Sequence, residues 1–289
     1  MRKKKSFGQH FLKDQSLCQR IVEAAEIEAY DLVIEVGPGQ GALTTYLPQD
    51  RLTLVELDRE LIDGLRDRYP RTSIVQEDAT QIDFDALVDG MSWVLVGNLP
   101  YNVGNAIIMN ALRQAVPHPE RGETESKDLH SREDVSTHSV RSTWNNANHR
   151  PTVGGLKRLV VMVQKEVADR MLAPAGANRS VLSVVMQLYG DVSRVMDVKP
   201  GSFQPPPNVM SSVVRLEVNP KVRDPEKVLR IVSAGFSSRR KQLHKNLDTA
   251  NIASSQDVKT TLTRIGVRED IRAQDLSIDE WVTLAEHVL

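Results

Sequence analysis

Four short stretches place a glycine, an acid or an amide where an apolar run ends: Val36-Gly37-Pro38-Gly39-Gln40-Gly41, Val55-Glu56, Glu77-Asp78-Ala79 and Val96-Gly97-Asn98. Each run has the length and β-branched content of a buried strand, so the four groups fall at strand ends. Together they could cradle a nucleoside. Glycines where a strand hands over to a helix let a ligand approach the backbone, and the helix start offers unpaired N–H groups to an anion. Glu56, closing the second strand, can accept hydrogen bonds from ribose hydroxyls, and Asp78 can accept one from an adenine amino group. That geometry would also suit a nicotinamide dehydrogenase. The spacing suits it less well, because Gly37, Gly39 and Gly41 give GxGxG where a dinucleotide fingerprint is GxGxxG. The fourth strand end is the strangest. It runs straight into Asn98-Leu99-Pro100-Tyr101, an amide, a rigid proline and an aromatic ring.

The elements that must hold these groups alternate. SLCQRIVEAAEIEA reads as a helix with Leu17, Ile21, Val22 and Ala25 on one face. DLVIEV, RLTLVE, SIVQED and WVLVGN read as strands, and helix-period segments follow most of them, including one through Ile107 to Leu112. RLVVMVQKEVADRML is again strand into helix, SVLSVVMQLYG a further helix, and two β-rich runs flank PGSFQPPPNV. This order predicts an α/β fold, a mostly parallel Rossmann-like sheet with helices on both faces and antiparallel edge strands. After about Lys221, three helix-sized stretches, the first being VLRIVSAGFSSRRKQLHKNL, predict a small all-α region. The expected division is 1–220 and 221–289. Residues 117–155 interrupt the pattern with mixed charge and little aliphatic periodicity, and they read as a mobile surface insertion. His118, His130, His138 and His149 lie in it at irregular spacing, which speaks for solvated side chains and against a metal site.

Bulk properties bound the function. The chain has 289 residues, 40% of them hydrophobic, and a formal net charge of −1. One cysteine, Cys18, excludes an internal disulfide framework and a cysteine-rich zinc site, which points to a reducing compartment and a cytoplasmic location. No stretch has the ~18 apolar residues of a membrane span, and the basic start lacks the apolar core of a secretory signal. Charge is clustered, however: Arg2 to Lys5 form one basic run, and Arg239-Arg240-Lys241 with Lys245 form another. Two such runs flanking a catalytic core favour a polyanionic partner.

The tetrapeptide at 98–101 together with the GxGxG turn resembles the class I adenosylmethionine-dependent methyltransferases that act on exocyclic amino groups. More narrowly, the chain is similar to the ribosomal RNA adenine N6-dimethyltransferases of the branch that dimethylates two adjacent adenines in small-subunit RNA. KSFGQHFLKD, EVGPGQGALT, VELD, NLPYNV, VMVQKEVADRM, FQPPPNVMSSVVRL and FSSRRKQLHKNL carry the likeness, in order, across nearly the whole chain outside the insertion. The resemblance implies S-adenosyl-L-methionine as cofactor, with Gln9, His10 and Leu12 closing over it. Gly37, Gly39, Gly41, Glu56, Asp78, Ala79 and Asn98 would contact it, and no metal is implied. It also implies small-subunit ribosomal RNA, or the maturing small subunit, as partner of a monomer. A large-subunit methyltransferase of the macrolide-resistance type and a non-catalytic assembly factor on the same fold stand as alternatives. The chain departs from the family in the 117–155 insertion, in Val103-Gly104-Asn105, in Asn208 where a lysine is common, and at Asn178 to Val181.

Chemistry gives the tetrapeptide a purpose. An adenine amine is a poor nucleophile because its lone pair is delocalised into the ring. Two acceptors aimed at its hydrogens, the Asn98 side-chain oxygen and the Leu99 carbonyl, can draw the nitrogen towards tetrahedral geometry. Pro100 stiffens the backbone that aims the carbonyl. Tyr101 offers a π-face to a base swung out of its RNA, with Phe203 expected on the opposite side. No strong base is required, which explains an amide where a carboxylate might stand.

Overall fold

The computed structural model describes residues 10–115 and 155–289. Gln9, the Arg2–Lys5 cluster and, apart from Gly155, the 117–155 insertion with its histidines lie outside the described residues. A seven-stranded sheet organises the molecule. In chain order its strands are β2 (Leu32–Val36), β3 (Leu52–Val55), β4 (Ser73–Val75), β5 (Trp93–Asn98), β6 (Leu156–Gln164), β7 (Gly190–Val198) and β9 (Ser211–Val218). Their spatial order is β4-β3-β2-β5-β6-β9-β7. Pairing is parallel from β4 through to β6, and β9 alone runs against its neighbours. A separate two-stranded ribbon joins β1 (Phe11–Leu12) to β8 (Phe203–Gln204), with Phe11 opposite Gln204 and Leu12 opposite Phe203.

Alternation along the strands sorts side chains between two cores. Ile34, Leu95, Leu159 and Val161 face one side, while Val33, Val94, Val96, Val160 and Met162 face the other. Both faces are therefore covered, as the near-continuous apolar strands require. On the second face lie α1 (Gln15–Ala24) and α2 (Arg59–Arg68), whose first turns are capped by Asp14 and Asp58. On the first lie α3 (Phe84–Val88), α4 (Gly104–Arg113), α5 (Lys165–Met171) and α6 (Val181–Tyr189), the last opened by a Ser180–Ser183 capping box.

The glycine turn does not open into an α-helix. A three-residue 3₁₀ turn, Thr44–Tyr46, stands where the sequence predicts one. The hydroxyls of both threonines bond backward, Thr44 to Glu35 and Thr45 to the Gly41 carbonyl, and Pro48 follows directly after Leu47 to stop the turn.

The C-terminal helices are α7 (Pro225–Gly235), α8 (Leu243–Thr249), α9 (Ser255–Arg264) and α10 (Ile278–Val288). The first two were expected as one helix. The first ends at Gly235, which lies against Trp281 so closely that an added Cβ would fall 2.7 Å from the indole. Asn246 Nδ2 then donates to the carbonyls of Gly235 and Ser238 at 2.6 and 2.9 Å, satisfying the chain as it turns. Arg239, Arg240 and Lys241 consequently sit in that turn and not on a helix. Val232, Leu243, Val258, Leu262 and Trp281 belong to the same core as Val184, Val185 and Leu188 of α6, so apolar packing continues from the sheet into the helices.

Candidate functional site

The cleft forms at the carboxyl ends of β2, β3 and β5, where an open α/β sheet receives its ligand. One glycine lets these ends meet: a Cβ at Gly97 would lie 2.6 Å from the Val36 carbonyl. Gly37 and Gly39 also take positive φ values, 68° and 57°, which any other residue adopts at a cost. The result is an open cleft lined by His10, Phe11, Leu12, Glu35, Gly37, Pro38, Gly39, Gln40, Glu56, Asn98, Leu99, Pro100 and Tyr101, among others.

Two acids stand in it without cations. Glu35 is fully buried, accepts a 2.6 Å bond from the Thr44 hydroxyl, and burial pushes its pKa up to about 8. Glu56 accepts from the Gly39 N–H at 3.2 Å and the Asp58 N–H at 2.9 Å. Burial raises its pKa too, and those backbone N–H groups partly oppose the rise. Neither carboxyl has a lysine or arginine partner among the described residues. Next in the chain to Glu56, Leu57 is 52% exposed.

The other wall is the 98–101 turn. Leu99 N–H continues the sheet by donating to the Met162 carbonyl at 3.1 Å, and its side chain is buried. The Pro100 carbonyl accepts from the N–H groups of Val103 and Gly104 at 3.2 and 2.9 Å, so the turn closes into α4. Asn98 Nδ2 donates to the His10 carbonyl at 3.0 Å. Tyr101 is fixed by a 2.6 Å bond between its hydroxyl and that of Ser211, and its ring lies 5.7 Å from the His10 ring. Burial raises the Tyr101 pKa, with the Ser211 bond acting against it.

Several expected residues take other places. Phe203 is 1% exposed and packs in the core on the α1 side, with its backbone paired to Leu12; the expectation that it offers a face to a base is corrected, because that ring is already covered. Gly41 is not part of the cleft lining. Its carbonyl takes the Tyr69 and Thr45 hydroxyls at 3.0 Å each, and an added Cβ would strike the Tyr69 ring, so its job is to pack the turn. Asp78 and Ala79 lie outside the lining as well. Asp78 is exposed and its Oδ1 holds the Thr80 N–H and hydroxyl at 2.9 and 2.8 Å, while the Ala79 carbonyl takes Asn110 Nδ2 at 3.2 Å. Arg239 donates to the carbonyls of Ala177 and Arg179 at 2.8 and 3.0 Å, which ties the turn after α7 to the loop before α6. Arg240, Lys241 and Lys245 are exposed, with no ion pair found among the described residues. Glu35 was missed, although its place two residues before Gly37 in an otherwise apolar strand was a visible signal.

The residues present fit a cationic nucleoside. Acids with no cation partner suit an ammonium or sulfonium, and the left-handed glycines bring backbone N–H groups to the ligand. Fold and cleft together define a class I methyltransferase, whose S-adenosyl-L-methionine supplies a sulfonium methyl group when bound. The family model for ribosomal RNA adenine dimethylases matches residues 1–288. A "Ribosomal RNA small subunit methyltransferase A" of Xanthomonas oryzae pv. oryzae is 36% identical, over 98% of this chain and 95% of the relative. One of the same name from Synechococcus elongatus is 33% identical over 97% and 93%. Among solved structures, a dimethyladenosine transferase from Plasmodium falciparum aligns with a TM-score of 0.67 and 24% identity, covering 95% of this chain and 96% of that one. A 23S rRNA methyltransferase aligns at 0.63 and 21%, covering 96% and 99%; both agree in fold. The chain belongs to the ribosomal RNA adenine dimethylase family, and it is an adenosylmethionine-dependent enzyme acting on ribosomal RNA. No helix of the described residues is long and apolar enough to cross a membrane.

Proposed function

We propose that the enzyme dimethylates two adjacent adenines of small-subunit ribosomal RNA at N6, acting in the cytoplasm as a monomer during maturation of that subunit. The observation that carries the site assignment is the orientation of Asn98, whose amide nitrogen is occupied by the His10 carbonyl. Its oxygen is then the end available to a target amine. Asn98 Oδ1 and the Leu99 carbonyl accept the amine's two hydrogens and localise its lone pair. Pro100 stiffens the turn, and Tyr101, immobilised by Ser211, stacks the extruded base. Rate comes from positioning and from acceptors already in place. Glu56 holds the ribose, and His10, Leu12, Gly37 and Gly39 enclose the cofactor. Gln9 and Asp78 stay as further contacts on the resemblance alone.

The helical region 221–289 supplies RNA contacts through Arg240, Lys241 and Lys245, with Arg239 shared between RNA and its own backbone partners. The small-subunit choice is supported by relatives of that name at 36% and 33% identity. The test is incubation with labelled methyl donor and small subunits lacking the modification, followed by mapping of the label. Two neighbouring dimethylated adenines are expected, whereas label in large-subunit RNA would favour the resistance-type alternative. Binding of small subunits with no label at all would leave an assembly factor.

A further inference from the structure

Asn98 can present either end of its amide to the cleft, because the two orientations differ only by a half-turn about one bond. Its neighbour decides. Nδ2 donates to the His10 carbonyl at 3.0 Å, and turning the group over would set two oxygens against each other. The His10 carbonyl is itself held. His10 Nδ1 bonds the Pro205 carbonyl at 2.9 Å, and the imidazole lies 5.7 Å from the Tyr101 ring, tilted by 31°. Immediately after it, Phe11 and Leu12 pair with Gln204 and Phe203. A carbonyl can only accept, so Nδ1 carries the proton. The imidazole thereby anchors the chain on the same segment that bears Phe203, at a distance of 88 residues from the amide it serves.

We propose that His10 is a positioning residue for methyl transfer: its side chain, fixed on the Pro205 carbonyl, holds the backbone oxygen that turns Asn98 Oδ1 towards the target amine. This rests on the assignment of Asn98 as the amine's acceptor. The imidazole need touch neither cofactor nor base to do it. The bond, not the ring surface, is what matters, and an asparagine side chain can replace it, since its amide nitrogen stands as many bonds from the backbone as Nδ1 does.

The test is single-turnover methyl transfer to small subunits lacking the modification, using His10→Ala, His10→Phe, His10→Asn, Asn98→Ala and the His10→Ala/Asn98→Ala pair. Titration with adenosylmethionine and thermal melting accompany each variant. His10→Ala and His10→Phe should lower kcat about tenfold at saturating adenosylmethionine, the worth of one ordinary hydrogen bond, with subunit KM little changed. His10→Asn should restore most of the rate. The double variant should be no slower than Asn98→Ala alone. Full kcat in His10→Phe, a loss confined to cofactor Kd, or multiplying losses in the double variant would overturn the inference and leave the Asn98 assignment standing. Wild-type kcat in Asn98→Ala would remove that assignment and the inference with it. If His10→Ala does not fold, the Phe and Asn variants decide.

Discussion

Where β2 and β6 begin and β9 ends, the sheet meets a set of acids that all face cations. Arg158, buried, grips Glu217 with 2.6 and 2.7 Å bonds and gives its remaining nitrogen to the carbonyls of Ala25 and Glu26. Lys157 bonds Glu28 and Asp31, and Arg215 bridges Glu26 and Glu217. Burial pulls the Glu217 pKa upward, yet the two arginines outweigh it and the net shift is down; Glu26 and Glu28 are likewise lowered by their partners. At the opposite end of the same strands, Glu35 and Glu56 have only a hydroxyl and backbone N–H groups, and their pKa values rise. The difference teaches which end was built to hold itself together and which to hold something else. Acids left uncompensated are costly unless a positive ligand arrives.

Breaking the first end should produce the larger effect. Arg158→Ala strips donors from two carbonyls and a carboxylate, and should lower stability by about 2–4 kcal/mol in urea unfolding. Methyl transfer per folded molecule should not change; a loss under about 0.5 kcal/mol would mean that this end is no more than surface decoration. At the second end, Glu56→Ala should weaken adenosylmethionine binding by about 1.5–3 kcal/mol in calorimetry, as expected for hydrogen bonds to a charged acceptor. Glu56→Gln, which keeps an oxygen for the Gly39 N–H, should lose less. Equal affinities for all three proteins would take this acid out of the site.

The mildest test uses pH. A carboxyl whose pKa rises on folding stabilises the fold as the acid and destabilises it as the anion. The Glu35 contribution is therefore complete below its ordinary 4.5 and is lost as pH climbs through about 8. Glu35→Gln keeps an acceptor for Thr44 and cannot ionise. It should melt a few degrees above wild type at pH ~9 and match it near pH ~4. Parallel melting curves across that range would show that the acid carries no such burden. Ligand binding should narrow that gap, since a bound cation favours the ionised form and should raise wild-type melting more at high pH.

The sheet was legible because its signal is local: apolar runs of strand length with acids and amides at their ends. Errors came where a distant partner overrides local preference. Nothing in VLRIVSAGFSSRRKQLHKNL announces that Trp281 lies against Gly235 and that Asn246 closes the break. Phe203 beside a proline run looks like an exposed recognition ring until the pairing with Leu12 is seen. Glycine spacing could not separate Gly39, which lines the cleft, from Gly41, which packs on Tyr69. Asn98 was identified from its own neighbours, whereas the contact that orients it comes from His10, and no spacing rule connects the two.

Apolar packing that passes without a gap from Val184 and Leu188 to Val232 and Trp281 has a thermal consequence. Among the described residues the carboxyl-terminal helices share one core with the sheet, so heat should dissolve sheet and helices in a single cooperative event. Cutting the chain at residue 220 would accordingly yield, instead of a smaller working enzyme, a sheet with a bare greasy flank that clumps.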